Sequence, residues 1–318
     1  MNSVITYSPA HTIVPTYECF NRCSYCNFRV DVGTQNSISL QNVLETLQKL
    51  DRKSIAEILV LSGEIHPASV ERASWLTKIY DICKLSLSLG FLPHTNVGPL
   101  SWSEMRQLKQ VNVSMGLMLE QIDPKFMQTV HQHAPSKQPK LRLEQLEWAG
   151  KLKIPFTTGL LLGIGETASD ITESLKAIAQ IQRKWGHIQE VILQPHSVGT
   201  RQKLELPNFD PLQLPRIIAK ARKILPDEVA IQIPPNLVSD PSFLLECLTA
   251  GATDLGGISP KDEVNPDYPH PTARSLAAVL EPAGWRLKPR LAVYPQYYSW
   301  LSIAMQEVVM NKKNTLIF

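Results

Sequence analysis

Cys19, Cys23 and Cys26 fall within eight residues with the spacing C-x3-C-x2-C, while Cys83 and Cys247 stand far from them and from each other. Five cysteines so distributed do not make a disulfide framework. A loop this short can instead wrap three thiolates around one metal centre. A structural zinc site normally closes four ligands, and a ferredoxin-type [4Fe-4S] cluster takes four cysteines; no fourth cysteine lies nearby. Three thiolates on a cubane leave one iron open to coordinate a small molecule, which is a site for chemistry. Two plainer readings stay open: a zinc site, or a thioredoxin-like thiol pair at Cys23 and Cys26, which leaves Cys19 unexplained. Cys83 and Cys247 lie in helical patterns and read as small packed apolar residues.

The elements that must hold such a loop are legible in the period of the sequence. Short apolar, β-branched runs end near residues 16, 62, 96, 116, 160, 194, 232 and 257, recurring about every 34 residues, enough for a helix in most gaps. Helix signals occupy these gaps. Ser101 with Glu104 and Asp170 with Glu173 read as a cap with an acid at the third position; Asp210-Pro211 and Asp240-Pro241 place proline where a first helical turn tolerates it. Gly90, Gly186 and Gly251 fall where helices should end. Eight strands alternating with helices, with no Gly/Ser linker, predict one α/β domain over 1–318, a single (β/α)8 TIM-type barrel. An open doubly wound sheet has the same alternation. A helix is expected over Thr272–Leu280, and another through Trp300–Val309, so that 284–318 forms a C-terminal closing segment.

Composition narrows the function classes. Hydrophobic residues make up 43% of the 318 and charged residues 19%, which is a foldable globular chain and not a disordered one. A net charge of +3 argues against nucleic acid as the partner, since phosphate binding wants a concentrated basic face. No apolar run approaches the ~18–20 residues of a spanning helix, and MNSVITYSPAH lacks a basic start followed by an apolar stretch. A cytoplasmic protein with no membrane partner is expected.

The cysteine motif, with Tyr25 just before its last cysteine, resembles the signature C-x3-C-x-aromatic-C of the radical S-adenosylmethionine (SAM) enzymes. The resemblance implies one [4Fe-4S] cluster on Cys19, Cys23 and Cys26, with SAM on the open iron and the Tyr25 ring against the adenine. Ser62-Gly63-Glu64 is similar to the Gly-Gly-Glu motif that binds the methionyl amine, with serine in place of the first glycine. The stretch around Gly163, GLLLGIGE, resembles the region whose backbone contacts adenine. Glu120, expected to end the fourth strand, resembles the acid on the ribose hydroxyls, and Arg142, opening the following helix, resembles the arginine that pairs with the SAM carboxylate through a two-pronged bond.

Longer stretches, among them HAPSK (133–137) and RLAVYPQY (290–297), resemble the CofG-type branch, the 7,8-didemethyl-8-hydroxy-5-deazariboflavin synthases. That resemblance implies ring closure, with loss of ammonia, of an adduct that a partner enzyme, CofH, makes from tyrosine and 5-amino-6-ribitylaminouracil. It also implies a flavodoxin, ferredoxin or reductase as electron donor. Such a substrate needs many hydrogen-bond partners, and polar residues at strand ends are the candidates: His94 and Asn96 after the third strand, Gln194 and His196 after the sixth, and Gln232 on the seventh. His131 and His133 read as residues ordering the loop before Pro135. The competing functions are a sibling radical SAM enzyme (CofH-like, biotin-synthase-like or maturase-like) and a non-enzymatic iron-sulfur electron carrier.

Overall fold

Eight parallel strands close on themselves in the computed structural model, which describes residues 3–202, 206, 209–238 and 240–316. They are β1 (Ser3–Ile13), β2 (Glu57–Leu61), β3 (Leu92–Asn96), β4 (Ser114–Gly116), β5 (Phe156–Leu162), β6 (Ile188–Pro195), β7 (Ala230–Gln232) and β8 (Asp254–Ile258). Each pairs with the next, and closure comes from β1, which meets β2 along Ala10–Ile13 and β8 along Thr6–Pro9. The gaps are filled by α1 (Leu40–Lys49), α2 (Arg72–Ser88), α3 (Trp102–Leu108), α4 (Pro139–Lys151), α5 (Ala168–Trp185), α6 (Leu214–Ile224) and α7 (Pro241–Thr249), and α8 (Ala273–Leu280) follows β8. This is the (β/α)8 barrel that the alternation predicts, and the closing β1–β2 and β1–β8 pairs exclude the open sheet.

The core lies between barrel and helices. On β2, Ile58 and Val60 are fully buried and belong to the same cluster as Val43 and Leu47 of α1 and Ile79 and Ile82 of α2. Each such side chain contributes roughly 1.5–3 kcal/mol of transfer free energy. Strand pleating turns the alternate residues Glu57, Leu59 and Leu61 into the barrel, where they line cavities. Helix starts follow the expected chemistry with two shifts. Ser101 and Glu104 form a capping box, and Asp240 caps α7. The α5 box is made by Thr167 with Asp170 as its third-position acid, so Asp170 is not the cap. Asp210-Pro211 opens a single 3-10 turn, and α6 begins after it.

The C-terminal segment contains a strand that hydrophobic period does not reveal, β9 (Trp285–Pro289), parallel to Ser3–Tyr7 of β1. It is followed by α9 (Ile303–Thr315). Leu291, Val293, Tyr297, Met305 and Val309 pack on Ala56, Leu92 and Val113, which sit at the starts of β2, β3 and β4. The segment therefore covers the N-terminal mouth, opposite the strand ends where barrels place their chemistry. Among the described residues no helix is long and apolar enough to cross a membrane.

Candidate active site

The cysteine loop leaves the end of β1 and is stitched to its neighbours through backbone hydrogen bonds. The Phe20 N–H donates to the Glu64 carbonyl (3.0 Å), Arg22 to His133 (2.7 Å) and Ser24 to Val130 (3.0 Å). Gly63 makes the first of these possible: a Cβ there would stand 2.1 Å from the Glu18 carbonyl oxygen, so only glycine lets the β2 end pass this loop. Cys19, Cys23 and Cys26 then line one cavity of about 310 Å³ together with Tyr25, Glu64, Glu120, Lys137 and Arg142. His133 contributes a backbone carbonyl to the loop.

The charged groups of this cavity are held in fixed positions. Glu64 Oε2 accepts from Asn21 Nδ2 (2.8 Å) and from the Ser136 hydroxyl, while Oε1 faces Arg142 Nη2 at 3.2 Å. Arg142, only 2% exposed, also donates to the Met118 carbonyl (2.7 Å) and the Ser136 carbonyl (3.0 Å). Lys137 pairs with Glu120. Glu120 lies four residues beyond β4 and does not end it. Its backbone is left-handed (φ 67°), held by a bond from its N–H to the Gly159 carbonyl (3.1 Å). Holding a residue that has a Cβ in this region costs about 1 kcal/mol or more. Burial pushes the Glu120 carboxyl up, but Lys137 and Arg142 outweigh it and keep the group ionised.

Burial raises the Cys19 thiol, with Glu64 adding to the effect, and lifts Cys23 to about 12 against the opposing Lys137. Burial thus disfavours the thiolate form of both, a cationic metal centre offsets that cost, and loading such a centre releases protons. Among the described residues no three His, Cys, Asp or Glu side chains gather to hold a single ion. A cluster whose thiols each take a separate iron does not require that convergence, and the all-sulfur donor set suits it.

Tyr25 packs on Phe126, Val130, Leu161 and Ile164, and its hydroxyl meets His131 Nε2 at 2.9 Å. His131 is thereby more than a loop-ordering residue. Burial, with Lys137 behind it, lowers His131 to about 3, so the ring is neutral. Gly163 follows β5 with φ 93°, and its N–H and that of Ile164 donate to Glu166 at 2.6 and 2.9 Å. Gly163 is not among the residues lining the cavity.

A second chamber of about 160 Å³ continues inward and shares Leu59, Leu61, Asn96, Ile192 and Gln194 with the first. His94, Gln232, Thr157, Glu57, Glu190 and Arg290 complete its inner wall. His94 and Asn96 lie on β3 itself and Gln194 on β6, not beyond the strand ends; His196 follows β6 and lines the outer chamber. His94 Nδ1 meets the Ser114 hydroxyl at 2.7 Å, and burial lowers its pKa. The sequence reading missed Asn21, Ser136 and Lys137 around Glu64 and Glu120, and Glu57, Glu190 and Arg290 in the inner wall. Two of the motifs it singled out do contain Ser136, Lys137 and Arg290, but without a role.

Comparison with known proteins places this geometry. Residues 13–178 match the family model of the radical SAM superfamily. A 7,8-didemethyl-8-hydroxy-5-deazariboflavin synthase of Trichormus variabilis is 61% identical over 99% of this chain and 92% of its own length. One from Synechocystis is 56% identical over 95% of this chain and 97% of its own. Among solved structures, the FeFe-hydrogenase maturase HydG of Carboxydothermus hydrogenoformans has a TM-score of 0.75 at 17% identity, covering 98% of this chain and 77% of that one. Methylornithine synthase has a TM-score of 0.67 at 16% identity, covering 94% of this chain and 87% of that one. At such identities these two structures report the barrel alone. With its three-thiol cavity at the strand ends and relatives this similar over nearly its full length, the chain belongs to the radical SAM superfamily, in its 7,8-didemethyl-8-hydroxy-5-deazariboflavin synthase family, whose cofactors are a [4Fe-4S] cluster and SAM.

Proposed function

We propose that this chain converts the CofH product, 5-amino-5-(4-hydroxybenzyl)-6-(D-ribitylimino)-5,6-dihydrouracil, to 7,8-didemethyl-8-hydroxy-5-deazariboflavin with release of ammonia, a carbon-nitrogen lyase reaction. The single observation that carries the reading is the near-full-length similarity to synthases of that product in several organisms. The two joined chambers support it, an outer one with thiols and opposite charges and an inner one rich in hydrogen-bonding groups.

Cys19, Cys23 and Cys26 would hold the [4Fe-4S] cluster, which when bound supplies the electron that cleaves SAM and yields a 5′-deoxyadenosyl radical. The remaining work belongs to the chain. Glu64 and Arg142 stand 3.2 Å apart with opposite charges, the complement of an amino acid's adjacent ammonium and carboxylate. Glu64 would take the ammonium of SAM, and Arg142 its carboxylate. Glu120 is positioned for ribose hydroxyls, with Lys137 holding it ionised. Tyr25, fixed by His131, offers a ring face to adenine, and the Gly63 and Gly163 backbones shape the surrounding turns. Asn96, Gln194, His94 and His196 would bind the ribityl and uracil groups. Leu59, Leu61 and Ile192, which line both chambers, would confine the substrate and hold its target hydrogen close, as a reactive alkyl radical demands.

The partners in this reading are the CofH enzyme, which supplies the adduct, and a flavodoxin, ferredoxin or reductase that delivers electrons in the reducing cytoplasm. The test is an anaerobic assay with SAM, dithionite and the CofH product. Fluorescent deazaflavin is expected, with one 5′-deoxyadenosine and one ammonia per turnover, and neither tyrosine nor the ribityl uracil alone should replace the adduct. SAM cleavage without any deazaflavin would reject the reading in favour of a sibling reaction.

A further inference from the structure

The interior of a (β/α)8 barrel is ordinarily filled by branched apolar side chains. Here its inner layer is a ring of Glu57 of β2, Glu190 of β6, Asp254 of β8 and Arg290 of the C-terminal segment, and most of its donors are already spent. Arg290 directs Nε (2.6 Å) and Nη2 (2.9 Å) to Asp254 and Nη1 to the Leu291 carbonyl (3.0 Å), and it also pairs with Glu190. The hydroxyls of Thr157 and Tyr294 donate to Glu190 at 2.9 and 3.1 Å. Glu190 and Asp254 are thus held by the wall itself.

What stays open toward the chamber is mostly acceptors. Glu57 takes the Ser8 hydroxyl on Oε2, and its Oε1 has no hydrogen-bond partner among the described residues. His94 of β3 meets the Ser114 hydroxyl through Nδ1 at 2.7 Å, and that hydroxyl donates to the Ala292 carbonyl, also at 2.7 Å. A serine has one hydroxyl proton, so both contacts are satisfied only when Nδ1 carries the imidazole proton. Nε2 is then left as a bare acceptor. Burial lowers His94 and keeps the ring neutral. Asn96, Gln194 and Gln232 line the same chamber with side-chain amides that have no hydrogen-bond partner among the described residues.

We propose that the inner chamber is a polyol subsite that takes the ribityl chain of the adduct, with Glu57 and His94 as specificity-determining residues that accept hydrogen bonds from its hydroxyls. The inference rests on the deazaflavin-forming reading above. At about 160 Å³ the chamber falls below the ~300 Å³ of a pocket for a whole drug-sized ligand, so it takes one arm of the adduct. Ring closure joins the dihydrouracil and hydroxybenzyl arms, which must therefore stand near the thiols of the outer chamber. Ring carbonyls would also bring lone pairs against Glu57 Oε1 and His94 Nε2, and a phenol has a single proton to give. A ribityl chain carries a row of hydroxyls, each able to donate to an acceptor and to accept from an amide, and it is the arm that the reaction leaves unchanged.

The test uses the cluster-loaded enzyme with SAM and dithionite, and compares the CofH product with its analogue bearing N-methyl in place of ribityl. A hydrogen bond to a charged group is worth about one to two decades and a neutral one about fivefold. The wild type should therefore favour the ribityl adduct by at least about 100-fold in kcat/KM. In Glu57→Gln and in His94→Phe that preference should shrink at least about fivefold, through a raised KM for the ribityl adduct. A merely structural role would impair both adducts alike and leave the preference intact, which would overturn the assignment of these two residues. A smaller wild-type preference would overturn the polyol subsite, and this comparison stands whether or not a variant folds. Absence of deazaflavin from either adduct with the wild-type enzyme would overturn the underlying reading and the subsite with it.

Discussion

Four residues of the outer chamber work as two crossed pairs, and their energetics are testable one side chain at a time. Glu64 and Arg142 are nearly buried and spend their charge on each other and on fixed backbone groups. A charge-assisted hydrogen bond to a desolvated ligand is worth roughly 1.5–3 kcal/mol, and ~1.4 kcal/mol is one decade of affinity. Glu64→Gln and Arg142→Ala should each weaken SAM binding at least about tenfold, measured by titration of the cluster-loaded protein; unchanged affinity in both would remove these roles. At the thiols, the Cys19/Cys23/Cys26 triple alanine variant should bind no cluster. Cys83→Ala and Cys247→Ala should leave iron and sulfide content intact, because both thiols are buried among core residues of helices.

Among the elements, the junction between the cysteine loop and the end of β2 carries the tightest constraint. A methyl group at position 63 would meet the Glu18 carbonyl at 2.1 Å, a backbone atom that cannot rotate aside. Gly63→Ala should therefore displace the loop and lose most of its iron loading in anaerobic reconstitution, while far-ultraviolet circular dichroism of the barrel stays near that of the parent. The helices make a milder prediction. Thr167 closes a reciprocal capping box with Asp170 at the start of α5, and Thr167→Ala should cost about 1 kcal/mol in urea denaturation.

For the whole molecule, acid stability follows from its buried histidines. Burial lowers His131 to about 3 and His187 to about 4, so both stay neutral in the folded barrel while the unfolded chain takes up protons below pH ~6.5. The unfolded state then binds more protons, and stability from these groups falls as pH drops through the window between those values. Glu190 works the other way, since its raised pKa favours the folded state as pH falls below about 7. A comparison at one site separates the effects. Between pH 6.5 and 4.5, His187→Gln should lose about 2 kcal/mol less stability than the parent, at ~1.4 kcal/mol per pH unit. Equal losses in the two proteins would refute the neutral buried imidazole.

Local chemistry made part of this protein readable from its residues alone. Three cysteines within eight residues can meet in one loop whatever the rest of the chain does, and alternating strand and helix periods fix a parallel α/β architecture because each period buries a different face. The strand ends at 61, 96, 116 and 232 follow from that pattern to within a residue. Tertiary structure decided what depends on distant segments meeting. Barrel closure rests on β1 pairing with β2 and β8, a register no local period encodes. β9 is half-exposed and short, so its pairing with β1 leaves no core-strand signature. The Glu64–Arg142 and Glu120–Lys137 pairs join residues 78 and 17 positions apart. The ring of Glu57, Glu190, Asp254 and Arg290 gathers side chains from four elements, each of which looks, by itself, like an ordinary polar residue in an apolar strand or tail. Only closing the barrel turns them inward together, and it is the desolvation there that makes their charges matter.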